Sequence, residues 1–293
     1  MKNIIIVSND TFFKKNFEEY VYENKLSYKL YFFNDVKAHK DINKIKKLSK
    51  KNLFTIVNVG LSGSIQYNIK NGPNIFEYNT SLYYRIITSL KNLSIKKLFF
   101  ISASCAYPGN QKILKENLYG HPPLEVTSFF YSLTKIFGTN LCKQINKNKK
   151  FKYISIVPAT LFGKYAKYNK ENSHVLTSLI NKINPKNKKF FLWGTGLSRR
   201  EFIFIKDFID AIFFIHKKKL FKSVINVGTG KDYTIRDLAI KIKKIKNIDG
   251  KILWDKSKKD GTKKKLLDSK FIFRKGWKPK KSLVEGIKET LKK

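Results

Sequence analysis

Tyr131 and Lys135, in "YSLTK", are four residues apart. On a helix that spacing puts both side chains on one face, where an ammonium can lower the phenol pKa and make tyrosine a proton donor or acceptor near neutral pH. The pair alone is weak in a lysine-rich chain. It gains weight from its place some 25 residues after an apolar run that ends Ser102-Ala103-Ser104-Cys105. Cys105, in "SASCAYP", is one of two cysteines. It is either a small core residue, as cysteine often is, or a thiol placed where it can exchange protons. Cys142 lies eleven residues beyond Tyr131 on the same helical segment, and core packing is enough to explain it.

Such residues need elements to position them. Ile4-Ile5-Ile6-Val7 reads as a buried strand, "TFFKKNFEEYVYEN" as an amphipathic helix and "KLYFF" as a second strand. "NLFTIVNVG" and "KKLFFISAS" repeat the pattern around the helical "NIFEYNTSLYYRIITSLKNL", and "FKYISIVPATLFG" follows "YSLTKIFGTNLCKQINK". Continuous apolar strands alternating with helices predict an α/β fold with a doubly wound parallel (Rossmann) sheet, whose ligands bind beyond the carboxyl ends of the strands. After Gly163 the alternation loosens into helical "NSHVLTSLINKI", strand-like "KKFFLWGTG" and helical "DFIDAIFFIHKK". Then comes "INVGTGKDYTIRDLAIKIKKI", with Thr234 and Asp237 at capping-box spacing. The expected division is a dinucleotide-binding domain over residues 1–163, completed by about 201–230, and a smaller interwoven C-terminal α/β lobe from 164–200 and 231–293.

Composition narrows the function classes. A chain of 293 residues with 42% hydrophobic content is ample for a packed core. Two cysteines and four scattered histidines offer neither a disulfide framework nor zinc-ligand spacing, so no metal is expected. The four-residue apolar run near the start is too short for a signal-peptide core, and no segment approaches the ~18 apolar residues of a membrane span. A soluble, cytoplasmic protein is expected. The 61 Lys+Arg against 21 Asp+Glu give a net charge of +40, but arginine occurs only at Arg85, Arg199, Arg200, Arg236 and Arg274. Lysine accompanies abundant Ile and Asn, the mixture that an AT-rich coding sequence supplies. Scarce arginine argues against a dedicated nucleic-acid surface, because arginine is the residue suited to bidentate recognition. No membrane or nucleic-acid partner is expected, though the positive field favours capture of a polyphosphate ligand at low salt.

The chain resembles the GDP-L-fucose synthase family of extended short-chain dehydrogenase/reductases. The resemblance runs through "SCAYP", "YSLTK", "VPATLFG", "NSHV", "LWGTGLSRREFIFIKDFIDA", "INVGTGKDYTIRDLA" and "KDGTKKKLLD", in that order along most of the chain. It implies a Rossmann domain for NADP(H), a smaller lobe for a GDP-sugar and a homodimer. By the same resemblance Tyr131 donates a proton to the 4-keto oxygen and Lys135 holds the nicotinamide ribose. Cys105 and His174 are the acid/base pair that moves protons at C3 and C5, next to the ketone. A thiol and an imidazole can both titrate near pH 7. Ser8, Asn9, Thr11, Ser102, Ala103, Pro158, Thr160 and Leu161 join Lys135 at the cofactor, and Lys182, Trp193, Arg200 and Lys265 hold the GDP moiety. Lys182 stands where the family tends to have arginine. Read without the family, His174 is a helix-start histidine, Trp193 a strand residue at a lobe interface, and Arg200 half of a solvated pair.

Two departures concern reduction. The family's GxxGxxG after the first strand is here Ser8-Asn9-Asp10-Thr11-Phe12-Phe13-Lys14, with no glycine and with a carboxylate near the expected diphosphate. Binding of NADP (or NAD) in the usual manner is thereby put in question; Asn34 and Asp35 offer no arginine for a 2′-phosphate, which leaves Lys37 and Lys40. Ala103 stands where a Ser or Thr holds the substrate ketone. Three functions follow: an NADPH-using epimerase/reductase, a reduction-deficient epimerase or GDP-sugar-binding paralogue, and, remotely, a nucleic-acid-associated protein.

Overall fold

The computed structural model describes residues 1–37, 39–166, 168, 175–258 and 260–292. The first half alternates β1 (Lys2–Ser8), α1 (Thr11–Glu23), β2 (Tyr28–Phe33), α2 (His39–Ser49), β3 (Asn52–Asn58), α3 (Ile65–Lys70), α4 (Gly72–Asn92) and β4 (Lys97–Ile101). Then follow α5 (Phe129–Ile145), β5 (Lys152–Pro158), β6 (Thr160–Phe162), α6 (Val175–Lys182), β7 (Lys189–Trp193), β8 (Arg199–Phe204), α7 (Ile205–Lys217) and β9 (Val224–Val227). The chain continues through β10 (Asp232–Thr234), α8 (Ile235–Ile245), β11 (Lys251–Asp255), β12 (Lys264–Lys265), α9 (Lys270–Arg274) and α10 (Leu283–Leu291).

Six parallel strands form the main sheet in the order β2-β1-β3-β4-β5-β9, so the expected α/β parallel sheet is present. Alternation of side chains sorts its two faces. Ile4 and Ile6 of β1 join Phe54, Ile56, Phe99 and Ile101 in a core covered by α1 and α7. Ile5 and Val7 join Val57, Leu98 and Phe100 in a second core covered by α4 and α5, where Cys142 also packs. β1 has β2 on one side and β3 on the other, which makes the topological switch point where an open α/β sheet has its crevice.

A second body of structure stands over this edge. β6 leaves the main sheet to pair with β8, which also pairs with β10 and β12, while β7 pairs with β11. Phe162, Leu176, Leu179, Phe190, Leu238 and Ile287 belong to its separate core. The expected cap on α8 forms in one direction, with Thr234 Oγ1 accepting from Asp237 N at 2.9 Å. The reciprocal capping box occurs instead at Ser282 and Glu285, at the start of α10. No helix among the described residues is long and apolar enough to cross a membrane.

Buried polar side chains stitch distant segments together. Asp210 on α7 accepts from Tyr20 Oη (2.8 Å), Trp277 Nε1 (2.9 Å) and Lys280 Nζ (2.6 Å). Glu201 on β8, only 2% exposed, accepts at Oε1 from the backbone N–H groups of Thr229 and Gly230 (both 2.7 Å), and at Oε2 from that of Leu267 (2.8 Å). Burial pushes its carboxyl up to about 7 despite those bonds.

This seam has a measurable pH signature. Between the ordinary value of 4.5 and about 7 the folded chain binds more protons at Glu201 than the unfolded chain does, so stability falls as pH rises through that window. Urea unfolding at pH 4.5 and 7.5 should show wild type losing up to about 3 kcal/mol relative to Glu201→Gln. Glu201→Ala, which strips the acceptor from three backbone N–H groups, that of Leu267 buried, should cost about 3 kcal/mol at either pH. A wild-type-to-Gln difference independent of pH would contradict the assignment.

Candidate functional site

Parallel strands deliver their carboxyl ends to one edge, so the residues after β1, β3, β4 and β5 share one side of the sheet. α5 lies unusually close to β4 because residue 138 is glycine: a Cβ there would sit 2.5 Å from Phe100 Cζ. That approach lets Lys135 Nζ donate to the Ile101 carbonyl at 3.0 Å. The ammonium lies 5.0, 5.1 and 5.6 Å from the ring centroids of Tyr83, Phe100 and Tyr131, an aromatic enclosure. Burial lowers Lys135 to about 8, against the neighbouring Cys105.

The phenol of Tyr131 moves the other way. Burial raises its pKa first and Cys105 adds to the rise, against a hydrogen bond with Ser62 that lowers it. The expectation that Lys135 brings Tyr131 toward neutrality is therefore corrected. A dry aromatic setting disfavours phenolate and ammonium alike, so Tyr131 holds its proton.

Cys105 lies beyond β4 in a single turn of 3₁₀ helix, Ser104–Ala106. Ser132 Oγ of α5 donates to the Cys105 carbonyl at 2.9 Å, tying that turn to the helix that carries Tyr131 and Lys135. Burial raises the thiol above its ordinary value; Lys265, Ser132 and Lys135 work against the rise and Glu125 adds to it. The expected near-neutral titration of Cys105 is thus also corrected, because only 8% of the residue meets solvent. Ser102 is already engaged, its Oγ 2.5 Å from Tyr119 Oη, and Ala103 continues extended backbone between them and the turn. A small cavity opens beside the turn, lined by Ser104, Ala159, Thr160, Glu201, Lys265 and Leu267.

The residues expected at the GDP moiety form two groups. Lys182 Nζ lies 4.5 Å from the ring centroid of Trp193, a residue 48% exposed. Arg200 and Lys265 are register partners in β8 and β12. Arg200 Nη1 donates to the carbonyls of Thr262 (2.6 Å) and Arg199 (2.8 Å), and burial lowers its pKa, against Glu125 and Asp260. Lys265 Nζ pairs with Glu125 Oε2 at 2.5 Å. Burial acts to raise the Glu125 carboxyl, but Lys265, by charge and hydrogen bond, outweighs it and holds the group at about 2. His174 lies outside the described residues.

The nicotinamide dinucleotide implied by the resemblance meets two different environments. At the nicotinamide end the donor set fits: the Tyr131 hydroxyl, the Lys135 ammonium and the Ser62 hydroxyl lie at the carboxyl edge. Pro158 ends β5 there, and Thr160 and Leu161 follow in β6, in register with Phe202 and Ile203 of β8. At the diphosphate end Ser8 is buried and its Oγ accepts from Asp10 N at 3.1 Å, Asn9 is exposed, and Thr11 opens α1. Asp10 caps α1, with Oδ1 accepting from Phe12 N at 2.9 Å. Lys14 Nζ donates to Asn34 Oδ1 at 3.0 Å, and Asp35 is paired with Arg85 at 2.6 Å.

Reading the sequence missed Ser62, Glu125, Ser132 and Glu201. Ser62 was within reach of the rule used for the other strands, since it follows the end of "NLFTIVNVG". Glu125 stands six residues before Tyr131 in a segment without periodicity, and nothing local marks it.

Comparison with known proteins agrees with this architecture. The model of the NAD dependent epimerase/dehydratase family matches residues 4–228. GDP-L-colitose synthase of Yersinia pseudotuberculosis is 35% identical over 87% of this chain and 85% of its own. The probable GDP-L-fucose synthase 1 of rice (Oryza sativa subsp. japonica) is 34% identical over 82% and 75%. Among solved structures, a GDP-6-OMe-4-keto-L-xylo-heptose reductase from C. jejuni superposes with a TM-score of 0.85 at 24% identity, covering 99% of this chain and 96% of that one. An NADP-bound GDP-L-fucose synthetase from Naegleria fowleri gives 0.83 at 22%, over 99% and 91%. With the parallel sheet and the Tyr131–Lys135 helix in place, these matches establish that the chain belongs to the NAD dependent epimerase/dehydratase family.

Proposed function

We propose that this chain is a nucleotide-sugar epimerase/reductase: it epimerises a GDP-linked 4-keto-6-deoxy sugar at C3 and C5 and reduces its ketone with NADPH. The observation that carries the reading is the cluster at the carboxyl edge of the sheet: Lys135 Nζ lies 5.6 Å from the Tyr131 ring, and Ser132 of the same helix holds the turn that carries Cys105. The relatives named as GDP-L-fucose and GDP-L-colitose synthases supply the substrate class.

A 4-keto group acidifies the adjacent C–H bonds, so two groups of moderate basicity suffice to exchange protons at C3 and C5. Cys105 is one, and His174 is the other in this proposal. The cation of Lys265 stabilises the Cys105 thiolate when the proton leaves. Reduced nicotinamide supplies the hydride for C4. Tyr131, protonated in its dry setting, gives its proton to the ketone oxygen, and Lys135 binds the nicotinamide ribose. Because Ala103 has no hydroxyl, Ser62 beside Tyr131 is the side chain offered to the ketone. The diphosphate of the substrate takes the cations of Arg200, Lys265 and Lys182, with Lys265 exchanging Glu125 for it, and the exposed face of Trp193 takes the guanine. The protein acts in the cytoplasm, where reducing conditions keep Cys105 and Cys142 as thiols. A second copy covers α4 and α5, which pack side by side and leave Phe76, Tyr84, Phe130 and Phe137 exposed, with the rings of Phe76 and Phe130 6.2 Å apart.

A second reading, an epimerase or GDP-sugar-binding protein without reduction, is favoured by the loop after β1, where Ser8, Thr11 and Lys14 stand in place of the three glycines.

Three experiments bear on these statements. In D₂O without NADPH, a GDP-4-keto-6-deoxy sugar should take up deuterium at C3 and C5. Cys105→Ala should abolish that uptake. Tyr131→Phe should keep it while lowering NADPH oxidation by roughly 100-fold or more; absence of exchange in wild type rules the reading out. Alkylation of Cys105 against pH, in a Cys142→Ala background, should titrate above the ordinary thiol value and move higher still in Lys265→Met. Light scattering should give a dimer that Phe137→Asp dissociates, and a wild-type monomer would exclude the second copy.

A further inference from the structure

We propose that the amino edge of the main sheet is a docking face for an anionic lipid bilayer, so that the chain lies on a membrane surface with its reacting groups turned away; this goes beyond the reaction proposed above and does not depend on it. Six stretches lead into the parallel strands at this edge: Met1-Lys2, "NKLS" (24–27), "SKKN" (49–52), "SIKK" (94–97), "NKNKKFK" (146–152) and "HKKK" (216–219). They carry thirteen lysines and no aspartate or glutamate. At the chain's overall 61 Lys+Arg to 21 Asp+Glu several carboxylates belong among them, so a lysine-rich composition alone does not account for the bias. All but Lys97 are exposed, and among the described residues none of the thirteen is in an ion pair. Glu23, beside the second stretch, is bound to Lys206.

The cations form one field. Lys97 and Lys152 are register partners in β4 and β5. Burial, then Lys152 and Lys219, lower Lys97; burial, then Lys97 and Lys2, lower His216. Charges from β1, β4, β5 and the segment between α7 and β9 are thus within reach of one another. The helices α1, α4, α5 and α7 end at this edge, and their dipoles offset only roughly half a charge each.

Two observations favour a bilayer over a nucleic acid. Every cation at the edge is lysine, which lacks the planar fork that reads bases but suffices for anionic headgroups, where each such residue strengthens attachment about fivefold. Among the lysines stand Tyr22, at the end of α1 and 83% exposed, and Phe221, just before β9 and 48% exposed. Rings set in a basic field are what a segment lying in a membrane interface presents, with the lysine stems covering apolar surface around them. Tyr131, Lys135 and Cys105 stand beyond the opposite ends of the same strands, roughly 20 Å away, so docking leaves the site open.

Flotation of the full chain with vesicles of phosphatidylcholine and phosphatidylserine, at about 2:1, should recover it with the lipid at about 50 mM NaCl and release it at about 500 mM. Phosphatidylcholine alone should not recover it. A net charge of +40 attracts anions from every side, so the deciding comparison is between two triple reversals of equal charge change. Lys149→Glu, Lys150→Glu and Lys218→Glu together, at the edge, should weaken vesicle binding by about 100-fold or more. Lys244→Glu, Lys256→Glu and Lys258→Glu together, on the second body of structure, should change it by less than about fivefold. The replaced lysines are exposed, so both variants should melt as wild type does. Tyr22→Ser with Phe221→Ser, which leaves the charge as it is, should weaken binding by about tenfold. Equal losses in the two charge variants, or no binding to the anionic vesicles, would overturn the inference. Tighter binding to a duplex RNA than to the vesicles, lost in the edge variant alone, would assign the edge to nucleic acid and overturn it likewise.

Discussion

The contact on which the site depends is the press of α5 against β4, where Phe100 lies over the bare Cα of Gly138. From that one approach the helix delivers Ser132 to the Cys105 carbonyl and Lys135 to the Ile101 carbonyl. Tyr131 lies one turn earlier. A methyl group at residue 138 would overlap Phe100, and the relief of that overlap would lift all three side chains together. Overpacking of this kind costs about 1–3 kcal/mol in stability. The larger effect would fall on geometry, since proton transfer depends on hydrogen-bond distances.

Burial, more than pairing, decides the charge states around that contact. Tyr131 and Cys105 are held protonated and Lys135 is lowered only to about 8, so among the three the ammonium alone is charged near neutral pH. Charge is concentrated where the second body of structure meets it, in the Glu125–Lys265 pair and Arg200. The lysine excess of the whole chain behaves differently. At the amino edge of the sheet Lys97 is lowered to about 8, by burial first and then by Lys152 and Lys219. His216 falls to about 4 through burial, Lys97 and Lys2. There lysines crowd one another, on the side of the sheet away from the reacting groups.

Much of this was legible in the sequence, for reasons that mark where legibility stops. The runs Ile4–Val7 and Leu98–Ile101 are buried on both faces and could be read directly as parallel strands, and the helix of Tyr131 and Lys135 was clear from its period. α2 was not read, although Ile42, Ile45 and Leu48 form a short apolar stripe amid its lysines; only Ile45 is fully buried, and the stripe is three residues long. The protonation states were read in the wrong direction. Spacing shows that Lys135 and Tyr131 are neighbours, but not that both are dry, and desolvation outweighs their proximity. Glu125 and Glu201 act through partners 140 and 66 residues away, which no local pattern can announce.

Asp210 binds Tyr20, Trp277 and Lys280 at once, joining the first helix of the chain to a segment more than 250 residues later. On a ribosome, synthesis at about 5–20 residues per second separates the two ends of that clasp by roughly ten seconds or more. Through that interval α1 and the first strands must wait with part of their apolar surface exposed. The fold is therefore sealed late in translation, and its nascent form is more exposed to proteases and chaperones than its finished core suggests.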